Sequence, residues 1–260
     1  MRSKVIRHSI LTLCASLLFS AVANAAETKE VQSLNGQTTF YDWHYSTYEE
    51  PGLMTVKSRI PFSFSLGFRD ETSIRNPNEN GGKGISWNIE GSYGLVKYDG
   101  SGTHNHDYYK LLAEGYYPVS GAFFAGVGYR RLFDNFGPGS TSSSARTYDR
   151  LSTYLYAPLG YNVRNDDGSN IKLQYNYFIS GQQTSYISQV PGYLSDLVND
   201  QKKGFGFDVS FTNPAGSWEA YYRYWFIEDS EISSGVTVAG IIYGYEPKNR
   251  TSEIGLRYRF

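Results

Sequence analysis

Ser252-Glu253-Ile254-Gly255-Leu256-Arg257-Tyr258-Arg259-Phe260 ends the chain. Ile254, Leu256, Tyr258 and Phe260 alternate there with Glu253, Gly255, Arg257 and Arg259. Successive side chains of a strand point to opposite faces, so this stretch is a strand with one apolar face and one polar or small face. The same alternation recurs upstream. It predicts strands at about 38–48, 58–69, 85–97, 108–117, 122–132, 151–163, 171–184, 204–212 and 217–227. In the first, Tyr41, Trp43 and Tyr45 oppose Asp42, His44 and Ser46. In the second, Ile60, Phe62, Phe64, Leu66 and Phe68 oppose Pro61, Ser63, Ser65, Gly67 and Arg69. Composition agrees: Tyr, Phe and Gly number 24, 15 and 27 in 260 residues, and 19% of residues are charged. Aromatic enrichment excludes a disordered chain, and the absence of a Leu/Ala excess argues against a helical bundle.

A closing strand that ends on an aromatic residue resembles the last strand of bacterial outer-membrane β-barrels, where Tyr258 and Phe260 would be the signal read by the barrel assembly machinery. The fold expected is an all-β antiparallel transmembrane barrel of ten strands, with twelve as the alternative if residues 231–245 add two more. In hydrocarbon every backbone polar group needs a partner within the protein, so a sheet must close on itself. Apolar side chains then face lipid and polar ones face inward, which explains a negative mean hydropathy in a membrane protein. Segments between strands alternate short and long. Those near 118–121, 164–170 and 213–217 are short, and those near 49–57, 99–107, 133–150, 185–203 and 228–250 are long. Glu71–Lys83 is an exception on the short side. Leu194, Leu197 and Val198 have helical spacing, so a short helix within 192–199 is an alternative to an irregular loop.

The chain opens with Arg2, Lys4 and Arg7, the apolar run Ile10–Phe19, and Ala23-Asn24-Ala25. That is the pattern of a secretory signal peptide cleaved after Ala25. The expected organisation is a signal peptide at 1–25, a periplasmic segment at 26–37 and the barrel at 38–260. Cleavage removes the one cysteine, Cys14, and three bases, leaving 21 bases against 25 acids. Such a balance gives no electrostatic footprint for nucleic acid.

Keeping the apolar face outward assigns a charge network to the lumen. Its acids are Asp42, Glu90, Glu114, Asp208, Glu219 and Glu253, and its bases are Arg69, Lys110, Arg130, Lys172, Arg223, Arg257 and Arg259. Charges are costly against lipid, which forces them inward. Near-equal numbers of both signs in a narrow barrel favour cross-bracing over an open pore. Trp43, Trp87, Tyr109, Tyr117, Tyr129, Trp218, Tyr222 and Tyr224 are the expected aromatic girdles where lipid meets water. Lumen glycines would make room for side chains from opposite walls.

Enzymatic motifs are sparse. Asp42 and His44 share a face and could form an acid–base pair. This is similar to the Asp/His chemistry of the omptin proteases, but no second acidic pair accompanies it. His104-Asn105-His106-Asp107 is read as a surface loop, and no further ligand cluster makes it a metal site. No cofactor is expected.

Two stretches extend the resemblance. Tyr41-Asp-Trp-His-Tyr45 precedes Glu49-Glu-Pro-Gly-Leu-Met54, and Tyr148-Asp-Arg150 precedes Tyr154-Leu-Tyr-Ala-Pro-Leu-Gly160, with Tyr245-Glu-Pro-Lys-Asn249 before the last strand. They resemble an uncharacterised family of proteobacterial outer-membrane barrels over most of the chain. The resemblance implies a monomer in the Gram-negative outer membrane, in contact with its lipid and lipopolysaccharide. It implies no functional residues. The expected role is structural or surface-binding through long extracellular loops that hold an unidentified ligand. The alternatives are a narrow channel for small solutes and a hydrolase using Asp42 and His44.

Overall fold

The structure, a computed structural model, describes residues 37–51, 56–75 and 84–260. The expected signal peptide and the segment 26–36 lie outside the described residues. Ten strands build the wall: β1 (Gln37–Glu50), β2 (Val56–Asp70), β3 (Ser86–Gly100), β4 (Gly102–Ser120), β5 (Phe123–Asn135), β6 (Arg150–Arg164), β7 (Asn170–Ser185), β8 (Gly204–Thr212), β9 (Trp218–Ile227) and β10 (Asn249–Arg259). Each pairs antiparallel with its sequence neighbour. β10 pairs with β1 from Phe40↔Arg259 to Glu49↔Arg250, and the cylinder closes without an edge. Phe260 N donates to Thr39 O at 3.0 Å, so the carboxyl end is bonded into the wall.

The count is ten and not twelve. Ser233–Thr237 and Gly240–Gly244 pair with each other as a hairpin outside the wall. Two other expectations are corrected at the same end, the loop end, opposite the termini. Residues 99–107 are not a loop, because the β3–β4 ladder runs on to Gly100↔Gly102 around Ser101. The helical turn lies at Ile187–Gln189, while Leu197–Gln201 is a strand paired with Gly181–Ser185. That strand keeps the register in which Phe205 faces Tyr177, so it continues the line of β8 beyond Lys202 and Lys203. A neighbouring strand with open hydrogen bonds outweighs a helical spacing of three apolar residues.

The alternation read in β2 holds only from Ser63 onward. Ser58 and Ile60 are buried, Pro61 and Phe62 both face out, and Ser63, Ser65, Gly67 and Arg69 are buried again. The pairing with β1 shifts between His44 and Ser46, where two residues of β2 oppose one. Pro61 has no N–H to give the ladder, and a bulge is where a strand tolerates it. Ile60 therefore packs inside with Val96 and Tyr108 instead of facing lipid.

The two faces of the wall are an inverted soluble protein. Phe62, Ile89, Leu95, Val127, Leu159, Tyr177, Phe211 and Ile254 stand exposed outside, while Asp42, Glu90, Lys110, Arg130, Glu219 and Arg257 are buried inside. On β7 the apolar run goes from Ile171 to Ile179. Eight steps at roughly 3.4 Å, tilted by about 40°, give about 20 Å across, close to the roughly 25 Å band of membrane barrels. Along their strands, Trp87, Tyr117 and Trp218 lie toward the terminus end of the apolar runs, and Tyr109, Tyr129 and Tyr224 toward the loop end. Trp43 and Tyr222 stand in the middle of theirs, so they belong to the belt and not to a girdle.

Inside, glycines do make room, but for neighbours on the adjacent strand. Gly67 lies beside Phe40, Gly128 beside Tyr156 and Gly255 beside Tyr221, each in cross-strand register. A methyl on Gly128 would meet the Tyr156 ring at 2.2 Å. The missing side chain lets each ring lie flat along the wall, so large aromatics fit a narrow lumen.

Candidate functional site

The charges named above meet across the lumen. Lys110 on β4 reaches Glu253 on β10 at 2.8 Å and Glu90 on β3 at 3.0 Å. Arg223 on β9 binds Asp208 at 2.6 Å and Glu253 at 2.9 Å, and lies 3.5 Å from Glu90. Arg257 on β10 joins Glu90 at 2.8 Å, Asp42 at 3.2 Å and Glu219 at 2.5 Å. Glu219 also accepts from Arg69 at 2.9 Å and from Arg259. Glu114 accepts from Tyr116 at 2.6 Å, from Tyr156 at 2.9 Å and from Gln174 at 2.9 Å. Each strand supplies groups that alternation forces inward, and closure places opposite signs face to face.

One acid escaped the sequence. Glu71 follows β2 in the connection read as a turn, yet it is buried and receives Arg69 at 3.3 Å, Arg259 at 3.6 Å and Lys172 at 3.2 Å. It brings the acids to seven, equal to the seven bases named above. It is held there because the start of the connection folds into the terminus end of the lumen as a helical turn, α1 (Thr72–Arg75). Ile74 of α1 packs on Tyr116 and Phe124, and Asn162 Nδ2 donates to its carbonyl at 2.9 Å. An isolated Ile in a polar connection was the available signal.

Arg130 is the exception among the bases. Among the described residues it forms no ion pair, and its guanidinium lies 5.2 Å from the Trp225 ring centroid and 5.9 Å from that of Tyr154. It belongs with the aromatic cluster of Leu112, Tyr154, Tyr156, Phe178, Trp225 and Ile227 toward the loop end.

His44 sits between two carboxylates. Its Nδ1 is 2.9 Å from Asp42 Oδ1, and its Nε2 is 3.7 Å from Glu253 Oε2. The side chain is fully buried. A cavity of about 30 Å³ lies in the lumen among Arg69, Glu114, Lys172, Glu219 and Arg223, and His44 does not line it. That volume is about one water.

The loop end carries a second polar cluster. Tyr48 donates to Glu50 at 2.6 Å, and Arg150 binds Glu50 at 3.1 Å and also Glu246. Glu246 precedes β10 in the connection that holds the hairpin. Burial pushes its carboxyl up to about 7; Arg150 opposes the rise and Glu50 adds to it. His104 and His106 are not in a surface loop. They lie on the loop-end extension of β4, where Phe136 stacks on His106 at 3.6 Å between centroids and Asp134 is 3.6 Å from its Nε2. Ile232, Val238, Ile241 and Tyr243 stand exposed around the hairpin.

A closed ten-stranded antiparallel barrel, apolar outside and ionic within, has the architecture of a membrane-spanning β-barrel. No family model matches the chain, and no curated protein matches its sequence. Solved structures similar in fold include the outer-membrane protease OmpT from Escherichia coli. It shows 8% identity, a TM-score of 0.42, and coverage of 90% of this chain and 100% of that one. The translocator domain of the autotransporter NalP from Neisseria meningitidis shows 13% identity, a TM-score of 0.44 and 97% coverage of both chains. An outer-membrane channel from Pseudomonas putida F1 shows 11% identity, a TM-score of 0.37, and coverage of 90% and 100%.

Proposed function

We propose that this chain is a sealed outer-membrane barrel of a Gram-negative bacterium, with a structural or surface-binding role carried by its loop end. The apolar belt, the start of β1 and the end of β10 gathered at one end, and three of the four longest connections at the other support that placement. The loop end is then extracellular, and its exposed apolar hairpin is the surface offered to a ligand. The family-level resemblance of Tyr41–Met54 and Tyr148–Gly160 is part of this proposal.

The observation that carries it is the lumen. Six acids and six bases are drawn into ion pairs that span it, Glu114 is held by Tyr116, Tyr156 and Gln174, α1 folds into the terminus end, and the cavity among these charges is about 30 Å³. A conducting pore needs a continuous wet path, and directly paired ions across the lumen obstruct one. This favours a sealed barrel over a narrow channel. Likewise, a buried imidazole that is bonded to Asp42 and stands off the cavity favours a bracing role for Asp42 and His44 over a hydrolytic one. The full chain reconstituted in planar bilayers is expected to give no conductance steps above background. Reproducible steps would overturn the reading.

A further inference from the structure

Four polar side chains that the ion pairs leave incomplete border the lumen cavity of about 30 Å³. They are Arg69 on β2, Asn88 on β3, Gln174 on β7 and Tyr221 on β9, and each is more than nine-tenths buried. Among the described residues nothing bonds to Arg69 Nε, Asn88 Oδ1, Gln174 Oε1 or the Tyr221 hydroxyl. A buried polar atom has given up its hydration, and one without a replacement is costly and rare. Four such residues around one cavity point to a ligand.

The orientation of both amides is set by their other ends. Asn88 Nδ2 donates to Glu114 at 3.4 Å, and Gln174 Nε2 donates to Glu114 at 2.9 Å and to Asn176 at 2.8 Å. Turning either amide over would set its oxygen against the Glu114 carboxylate, so the oxygens are the free ends. The ligand must then satisfy two acceptors, one N–H donor and one hydroxyl.

Size and charge select it. The cavity has the volume of about one water, too small for an organic molecule. The guanidiniums of Arg69, Arg223 and Arg257 border it and repel a cation. The two amide oxygens and the carboxylates of Glu114, Asp208 and Glu219 repel an anion. A water molecule is neutral and carries two donors and two lone pairs, the complement of the four groups.

We infer that the lumen binds one ordered water as a bridge of its cross-bracing. The water donates to Asn88 Oδ1 and Gln174 Oε1 and accepts from Arg69 Nε and the Tyr221 hydroxyl. It ties β2 and β3 to β7 and β9 across the lumen. All four of its bonds end on the protein, so none is left for a second water, and it forms no part of a file through the barrel. The inference deepens the sealed reading. Conductance in bilayers tests that reading, and the residence of this water tests the inference, so the two fail separately.

The first test is water–protein cross-relaxation by NMR on the full chain, labelled at arginine and folded in detergent micelles. The Arg69 Hε resonance, assigned by its loss in Arg69→Lys, is expected to show cross-peaks to water of opposite sign in the laboratory and rotating frames, the mark of a long-lived water. The second is the stability of Tyr221→Phe, which deletes the hydroxyl and keeps the ring that lies 4.7 Å from the Arg257 guanidinium. A hydroxyl bonded to water makes the variant less stable, with an unfolding constant raised roughly fivefold; an unbonded one makes it equally or more stable. Heat-dependent gel migration reports folding. No cross-peak at Arg69 Hε, or a Tyr221→Phe barrel at least as stable as wild type, would overturn the inference. So would stability that rises specifically with sodium, ammonium or chloride at constant ionic strength, which would put an ion in the site.

Discussion

The lumen is filled by different physics in its two halves. Toward the termini, Arg69, Glu71, Glu219, Arg257 and Arg259 form contacts that tie β2, β9 and β10 together. Toward the loops, Tyr154, Tyr156, Phe178 and Trp225 pack on one another, with Arg130 over the rings. The ionic half depends on complete pairing, because each buried charge owes its place to partners on other strands. The aromatic half depends on space, because each ring needs a glycine beside it. Removing a partner should therefore damage the first, and adding an atom should damage the second.

The largest effect is expected at Glu219, which accepts from Arg69 at 2.9 Å, from Arg257 at 2.5 Å and from Arg259. Glu219→Leu leaves three buried guanidiniums short of a carboxylate, and stripping one member from a buried pair costs roughly 3–5 kcal/mol. Guanidinium chloride titration of the vesicle-refolded barrel measures the loss. Arg259→Met in the same chain should recover part of it, since a removed pair costs less than an orphaned charge. A loss below about 1 kcal/mol would erase the distinction between the halves.

In the aromatic half, Gly128→Ala is the matching intrusion. The added methyl would sit 2.2 Å from the Tyr156 ring, which is fully buried, donates to Glu114 at 2.9 Å and packs edge-on against Trp225. The ring has nowhere to swing, so overpacking of about 1–3 kcal/mol is expected. Tyr156→Leu removes the obstacle, and the double variant should be less destabilised than the two single losses added. Additive losses would mean that the glycine serves the backbone and not the ring.

The two halves were not equally legible in the sequence. Alternation fixes the face of a residue, so Glu219, Arg257 and Arg259 could be placed inward without knowing their partners. It does not say whom an inward charge meets, and so Arg130 was grouped with carboxylates when it lies over Trp225. Alternation also fails where the backbone slips. Beyond the bulge at Pro61 and Phe62 the pattern inverts, and Ile60 turns from lipid to lumen. Glu71 lies past the end of its strand, where period two no longer applies, and only the inward fold of α1 carries it to Lys172. Residues 231–245 alternate as wall strands do; the direct pairing of β9 with β10 is what leaves them outside.

The smallest effect sharpens the comparison at the loop-end rim, where an ionic cluster caps the aromatic half. Glu246 is buried beside Arg150 and Glu50, and burial pushes its carboxyl up to about 7 against an ordinary value of 4.5. The folded chain thus holds this proton between about pH 4.5 and 7 while the unfolded chain releases it. The stability that Glu246 contributes is present below the lower value and is lost as pH rises toward the upper one. The hairpin connection, residues 228–248, should therefore be better protected from hydrogen exchange at pH 5.5 than at pH 8. A few-fold change, on the order of 1 kcal/mol or less, suits a local opening. Glu246→Gln mimics the protonated form and should flatten the profile, with protection at pH 8 matching that of wild type at pH 5.5. If the variant retains the wild-type pH dependence, the proton resides elsewhere, and the rim is held by the Arg150–Glu50 contact alone.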